Sequence, residues 1–345
     1  MSERSIVDHP LAQLTLVRFR DFLREPEALF WVFIFPILLA AGLGIAFRNR
    51  PAEAIPVVTS SPDLARALRA EKRLDVRLLR PAKAAEQLRS GKAALEVSIA
   101  PLGVAYQFDD TNPEGRTARM LADAAVQRSA GRSDPVRTFD SLVREPGSRY
   151  IDFLVPGLLG MNLMGSAIWG VGFAIVDARR KKLIKRLIAT PMPRRYYLMS
   201  FVLSRLALLV LEVAAVLGFG ALAFGVPVRG SLGVLAELCV LGSMSFCALG
   251  LLIASRVRTI EAASGLMNAA MMPMWVLSGV FFSAQRFPDA VQPLIRALPL
   301  TAAIDALRAI MLQGAGLAQV APEAGVLSVW LVVCFALALK LFRWK

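Results

Sequence analysis

The chain has 345 residues, 56% of them hydrophobic, and a formal charge of +14 at neutral pH. A single soluble core of this length needs less apolar surface, so the composition predicts a protein embedded in a lipid bilayer. A basic excess is also typical of nucleic-acid binding, but in a membrane protein it more often reflects orientation in the bilayer. We therefore expect the lipid bilayer, and no nucleic acid, to be a partner.

The N-terminal segment, residues 1–29, carries hydrophobic residues that alternate with arginines between Leu11 and Arg24. The roughly helical spacing predicts an amphipathic (elbow) helix that lies at the cytoplasmic headgroups, with a frayed polar tail as the alternative. Pro26 would then turn the chain into the membrane. Because this mostly polar segment precedes the first apolar run, we expect a retained anchor and no cleaved signal peptide.

Six apolar runs are long enough to cross a bilayer, for which a helix needs about 20 mostly apolar residues. The sequence thus predicts a mainly α integral membrane protein with six transmembrane helices. The first lies at 30–47, and the other five fall in a transmembrane region over 150–345. The predicted spans of that region are 150–176, 198–224, 232–254, 262–282 and 326–342.

Orientation is predicted from the short segment 177–196, which has eight cations and one acid. Such a loop is where the positive-inside rule is most reliable, so we expect it to be cytoplasmic. Alternation from there places both termini in the cytoplasm and residues 48–149 outside. The protein is accordingly predicted to be a multi-pass protein of the cytoplasmic (inner) membrane.

Residues 48–149 alternate strand-like and helix-like stretches, with Pro62 and Pro81 where a first helical turn tolerates proline. This pattern predicts an extracytoplasmic α/β domain between the first two spans. After the fifth span, residues 283–324 contain two short amphipathic stretches separated by Pro299. They predict outer re-entrant helices, with a simple surface loop as the alternative.

Sequence signatures of catalysis are absent. The chain has no G-x-x-x-x-G-K-[ST] loop, a single histidine (His9) and no Cys/His cluster. Its three cysteines all fall in predicted spans, where small packing residues are expected. We therefore predict no catalytic residue, no metal, no cofactor bound by this chain, and no ATPase site.

Several short motifs follow one another along the predicted spans. They are Arg24-Glu25-Pro26, Phe35-Pro36, Tyr150-Ile151-Asp152-Phe153-Leu154-Val155-Pro156-Gly157, Ala189-Thr190-Pro191, Leu277-Ser278-Gly279-Val280-Phe281-Phe282, Phe287-Pro288 and Pro299-Leu300-Thr301 with Asp305 and Arg308. In this order and spacing they resemble the type-2 (ABC-2, or type V) ATP-binding-cassette transporter permeases over nearly the whole chain. One departure is the run from Asp177 to Lys182, where relatives commonly carry Arg-Glu-x-Gly.

The resemblance implies a permease that works with a separate ABC ATPase subunit, which binds ATP and magnesium. It also implies a homodimer, or a heterodimer with a related permease, and a coupling helix inserted in a groove of the ATPase. The cytoplasmic loop is independently short, basic and bounded by prolines, although a mere orientation signal would explain the charges. The residues assigned to coupling are Lys182, Leu183, Lys185, Arg186, Leu187, Thr190 and Pro191.

Charges inside spans cost roughly 2.5 to 3.5 kcal/mol each, so Glu212 and Glu261 need partners or water. Glu212 is expected to face a cavity or the dimer seam, whereas Glu261 could instead pair with Arg256 or Arg258. Gly165 belongs to a stripe of small residues, and Met164 and Trp275 to adaptable apolar surface for which ordinary packing is the alternative. The candidate pathway or dimer-interface residues are Glu212, Glu261, Gly165, Met164 and Trp275.

The leading hypothesis is the permease subunit of an ATP-driven exporter that moves an amphipathic small molecule, drug or lipid-like compound, with a periplasmic adaptor as a further candidate partner. The alternative is a non-transporting scaffold or receptor whose outer α/β domain binds a partner. A secondary transporter is disfavoured because the sequence shows no inverted repeat.

Overall fold

A computed structural model describes residues 9–48, 54–101, 103–133, 149–181, 194–257 and 259–341. The chain divides into two compact units. The first unit combines Met1–Arg48 with Val143–Lys345, and the second is Asn49–Leu142. Each unit has its own cluster of buried hydrophobic side chains.

The described residues contain thirteen α-helices and four β-strands, numbered here in chain order. A π-helical turn, Phe30–Ile34, joins the second and third helices. The helices are α1 (Pro10–Arg24), α2 (Pro26–Leu29), α3 (Phe35–Arg48), α4 (Pro62–Arg69), α5 (Pro81–Arg89), α6 (Pro113–Ser129), α7 (Tyr150–Arg180), α8 (Arg194–Phe224), α9 (Leu232–Ala254), α10 (Ile260–Leu277), α11 (Gln292–Ala297), α12 (Pro299–Gln313) and α13 (Ala321–Leu341), and the strands are β1 (Ile55–Thr59), β2 (Leu74–Leu78), β3 (Leu95–Ala100) and β4 (Gly103–Gln107).

Five helical segments are long and apolar enough to span a membrane. They match the first four and the last of the six predicted spans. The predicted fifth span, 262–282, corresponds to the 18-residue helix α10, which is not among these five and ends before Gly279 turns the chain with a positive φ. Its apolar surface is interrupted by Asn268 and Pro273. The five segments are Pro26–Ala46, Tyr150–Arg180, Leu203–Phe224, Leu232–Ala254 and Ala321–Leu341.

The first candidate span is distorted beside Pro36. Proline has no N–H to donate to the carbonyl of Val32 one turn earlier, and the helix widens there into the π-helical turn. The side chain of Asn162 on α7 supplies the missing donor, with its Nδ2 atom 3.0 Å from the Val32 carbonyl oxygen. Both residues are buried, so the hydrogen bond fastens α7 to the first span.

Helix α1 precedes this span. The helix ends just before Glu25, whose backbone is extended. Arg18 Nε donates to Ser200 Oγ of α8 at 2.9 Å. The hydrophobic side chains of Val17 and Leu23 are about half exposed. The segment is therefore a helix with partly exposed hydrophobic side chains, as the amphipathic sequence pattern predicts.

Helices α11 and α12 occupy the region predicted to hold two outer helices. In α12, Leu300, Ile304 and Ile310 are fully buried in the core of the first unit. Gly160 makes this approach possible, because a Cβ atom there would lie 2.7 Å from Ile304 Cγ1. Gly314 ends α12 in the left-handed conformation that favours glycine.

The second unit is an α/β fold with sheet order β2-β1-β3-β4. Strand β1 pairs in parallel with β2 and with β3, while β3 and β4 are antiparallel. Helices α4 and α6 contribute Leu68 and Ala118 to a core that also contains Leu95 of β3, and Ala84 of α5 packs with Val58 of β1. The predicted alternation of strands and helices is thus present in this unit.

Candidate functional site

A buried ion pair lies within the third candidate span. Arg205 and Glu212 are seven residues apart on α8, and this spacing places them two turns apart on one face. The distance from Arg205 Nη1 to Glu212 Oε1 is 2.8 Å, and that from Nη2 to Oε2 is 3.2 Å. The two side chains are 8% and 0% exposed. Such a bidentate pair is stronger than a single hydrogen bond.

Two serines complete the hydrogen bonding of this pair. Arg205 Nε donates to Ser243 Oγ of α9 at 3.0 Å, and Arg205 Nη2 donates to Ser166 Oγ of α7 at 2.9 Å. Ser166 Oγ is also 2.9 Å from Glu212 Oε2. We call Ser166, Arg205, Glu212 and Ser243 the central cluster. Since a buried charge is tolerated only when it is paired and hydrogen-bonded, the cluster holds α7, α8 and α9 together.

Sequence reasoning identified Glu212 and missed Arg205. The available signal was the pair of opposite charges seven residues apart in an otherwise apolar run. Their separation by two helical turns is compatible with one shared face, so each could have been proposed as the other's partner.

The other predicted pathway residues lie on α7 and α10. Met164 is fully buried, and a Cβ atom on Gly165 would lie 3.7 Å from the side chain of Met271. Trp275 is half-buried, and its indole nitrogen has no hydrogen-bond partner among the described residues. Glu261 is exposed in the first turn of α10. Met164 and Gly165 thus directly precede Ser166 of the central cluster on α7, whereas Trp275 and Glu261 lie on α10.

All seven residues predicted to couple to an ATPase lie in 182–193, outside the described residues. The described chain reaches their boundary at the end of α7, where Arg179 forms what we call the Arg179 clamp. Its Nη1 atom donates to the carbonyls of Val257 and Ala254 at 2.8 and 3.1 Å, and its Nη2 atom to that of Ser255 at 3.4 Å. The guanidinium thereby satisfies carbonyls at the C-terminal end of α9.

A second arginine makes a comparable contact near the start of α7. Arg308 Nη2 donates to the carbonyls of Gly279 at 2.6 Å and Phe153 at 3.2 Å. The guanidinium also stacks on the Phe153 ring, 3.5 Å from its centroid. Tyr150 donates its hydroxyl to the carbonyl of Phe281 at 3.0 Å. These contacts fix the segment after α10 against the first turns of α7.

Across the part of the chain that the structure describes, no group of three or more His, Cys, Asp or Glu residues could hold a metal ion. The central cluster and the two arginine contacts consist of ion pairs and hydrogen bonds between helices. These contacts hold neighbouring helices together.

Comparison with known proteins matches residues 26–340 to the family described as ABC-2 family transporter protein. The chain is 27% identical over 205 residues to ABC transporter G family member 20 of Dictyostelium discoideum, a match that covers 59% of this chain and 28% of that protein. It is 27% identical over 170 residues to "Probable multidrug ABC transporter permease YbhS" of Escherichia coli, covering 47% and 43% of the two chains. It is 27% identical over 203 residues to Nodulation protein J of Rhizobium meliloti, covering 58% and 76%.

The chain thus spans less than half the length of the first two of these relatives. The family match, however, extends over most of the chain and includes four of the five candidate spans in full, together with nearly all of the fifth. The chain therefore belongs to the ABC-2 family of transporter proteins.

Proposed function

We propose that this chain is the membrane permease subunit of an ATP-driven exporter. The observation that carries the proposal is the family match over residues 26–340, which takes in nearly all of the five candidate spans as well as the second unit. The chain contributes the translocation pathway, and a separate ABC ATPase subunit binds ATP and magnesium and hydrolyses the nucleotide. Two copies of the chain, or one copy and a related permease, form the complete membrane part.

The proposed topology has six spans, with α10 as the additional crossing. Its 18 residues have a rise of about 27 Å, close to the roughly 30 Å of a hydrocarbon core. Met267 and Met271 of α10 are fully buried against the other helices. In this topology the protein lies in the inner membrane, both termini are cytoplasmic, and the α/β unit is outside the cytoplasm.

Topology is tested by single cysteines at exposed positions, labelled in intact cells with a membrane-impermeant maleimide. We expect Lys92→Cys and Gln285→Cys to react without lysis, and Arg256→Cys to react only after it. The native cysteines give little background because Cys239 and Cys334 are buried and Cys247 is partly buried. Reaction of Arg256→Cys and Gln285→Cys from the same side would contradict a crossing by α10.

Coupling to the ATPase is proposed for Lys182, Leu183, Lys185, Arg186, Leu187, Thr190 and Pro191. The supporting observation is a basic segment bounded by prolines that begins where α7 ends. We expect an ATPase to co-purify with this chain from its native host and to be lost in the charge-reversal variant Lys185→Glu/Arg186→Glu. The matched control is Arg69→Glu/Lys92→Glu, which reverses two exposed cations of the second unit.

An ATPase that is recovered with the parent and the control, but not with the reversed loop, supports coupling through this segment. Recovery of no ATPase with any of the three would favour the alternative function, a scaffold or receptor. That alternative is based on the second unit, which has its own core and could bind a partner such as a periplasmic adaptor.

The proposed cargo is an amphipathic small molecule, drug or lipid-like compound. The Escherichia coli relative is named a probable multidrug ABC transporter permease. In this chain, the half-buried Trp275 and exposed Glu261 are the candidates for contact with cargo or with a second permease. Cells that express the chain with its ATPase should retain less of an amphipathic fluorescent dye than cells without it, and Trp275→Ala should change which dyes are exported.

A further inference from the structure

The Arg179 clamp is a contact between helices that lies close to the proposed coupling segment. Arg179 is three residues before Lys182, on the last turn of α7. Its guanidinium contacts main-chain carbonyls of Ala254, Ser255 and Val257, at the end of α9 and in the turn towards α10. A planar fork of donors can serve several carbonyls at once, whereas a lysine ammonium is a single point.

Helices α7 and α9 are also joined at two further levels. Gly250 allows their backbones to approach, because a Cβ atom there would lie 2.8 Å from the carbonyl oxygen of Ile168. Arg205 of α8 bridges them through Ser166 and Ser243. With the Arg179 clamp, the two helices are fastened at successive levels, and packed helices of this kind move as rigid elements.

We infer that Arg179 is a positioning residue that transmits displacement of the coupling segment from α7 to the turn between α9 and α10. The inference rests on the proposed coupling function. When the ATPase moves residues 182–191, the end of α7 moves with them. Arg179 then pulls the carbonyls of Ser255 and Val257, so that the start of α10 follows.

The neighbouring Arg180 provides a matched control. It is on the same helical turn and carries the same charge, but its side chain is exposed. Replacing either arginine removes one of the eight cations in 177–196, so the orientation signal is altered equally. Of these two arginines, only Arg179 donates hydrogen bonds to the end of α9 within the described part of the chain.

The experiment uses the complete transporter with its co-purified ATPase in lipid nanodiscs. Single cysteines at Lys181 and Arg256, both exposed, report on the end of α7 and on the turn. The rate of maleimide labelling is measured at each position without nucleotide and with ATP, magnesium and vanadate. In the parent we expect nucleotide to change both rates.

In Arg179→Gln, the rate at Lys181→Cys should still change with nucleotide, while the change at Arg256→Cys should be reduced. Arg179→Lys retains the charge but not the fork, and it should recover only part of the response. Arg180→Gln should keep both responses. If Arg179→Gln does not yield folded transporter, the Arg179→Lys variant decides the matter.

The inference would be overturned if Arg256→Cys responds to nucleotide as strongly in Arg179→Gln as in Arg180→Gln. Where Arg179→Lys replaces Arg179→Gln, the same comparison applies to Arg179→Lys. Either result would leave the proposed coupling function intact. If neither position responds in the parent although the ATPase is bound, the proposed coupling function itself is wrong, and the inference fails with it.

Discussion

The side-chain amide of Asn162 donates a hydrogen bond to the main-chain carbonyl of Val32, across two membrane helices and at 3.0 Å. Pro36 explains why that carbonyl needs a donor from outside its own helix. We expect Asn162→Leu to leave a buried acceptor unsatisfied and to destabilise the protein by roughly 1–3 kcal/mol. Thermal unfolding of the detergent-solubilised protein, followed by size-exclusion chromatography, measures the loss.

The control for this first prediction changes the proline. Pro36→Ala restores an N–H group to the helix, so Asn162→Leu should cost less in that background than in the parent. Equal costs in both backgrounds would show that Asn162 stabilises the protein by another route. The double-mutant cycle isolates this pairwise effect, provided that the alanine causes no further rearrangement.

The central cluster predicts unequal effects for single and double substitutions. Removing one charge, as in Glu212→Leu, leaves Arg205 buried without its partner and should cost roughly 3–5 kcal/mol. Replacing both, as in Arg205→Met/Glu212→Leu, removes both buried charges and should be milder than either single change. The same thermal assay measures all three, and a double variant that is as unstable as the sum of the singles would contradict the cluster as described.

The long apolar runs predicted five helices that are long and apolar enough to span a membrane, because length and hydropathy along one segment indicate a membrane helix. The predicted fifth span corresponds to α10, where Pro273 and Asn268 reduce the apolar character, and its crossing of the membrane stays a prediction. The alternation of short strands and helices likewise predicted the α/β unit. Strand order could not be predicted in this way, since it depends on which residues meet across the sheet.

The candidate site was only partly predictable for a related reason. Glu212 stands out in the sequence because a charge in a span is costly. The contacts from Asn162 to Val32 and from Arg179 to Val257 join residues distant in the chain, and each ends on a carbonyl oxygen, which every residue type carries. A single sequence contains no signal for such a contact.

A tyrosine of the second unit, Tyr106, should have a pKa that can be measured by titration. Burial and the Asp123 carboxylate, to which the Tyr106 hydroxyl donates at 3.2 Å, raise the pKa of Tyr106 to about 12. The pKa of Tyr106 is near 10 in the unfolded protein and about 12 in the folded protein. The contribution of this difference to the free energy of unfolding is therefore fully present below about pH 10 and is lost as pH rises through about 12. The chain also contains Tyr150, Tyr196 and Tyr197, so the tyrosinate absorbance of Tyr106 is measured as the difference between the parent and Tyr106→Phe.

Asp123→Asn should lower the pKa of Tyr106 towards 10 without reaching it, because burial remains. The control, Asp110→Asn, changes an exposed carboxylate and should leave the titration unchanged. A value for Asp123→Asn that matches the parent would mean that burial alone sets the pKa.

Two glycines of α7 provide the last prediction, since they differ in what surrounds them. A Cβ atom at Gly157 would lie 2.6 Å from the Val280 carbonyl oxygen, whereas at Gly170 nothing lies within 4 Å. The Val280 backbone has little freedom to yield, because Arg308 holds the adjacent Gly279 carbonyl. We expect Gly157→Ala to cost roughly 1–3 kcal/mol through overpacking. Gly170→Ala should be neutral or stabilising by up to about 1 kcal/mol, because alanine favours helix more than glycine does. Thermal midpoints that fall equally for both variants would show that Gly157 does not fit closely against the Val280 segment.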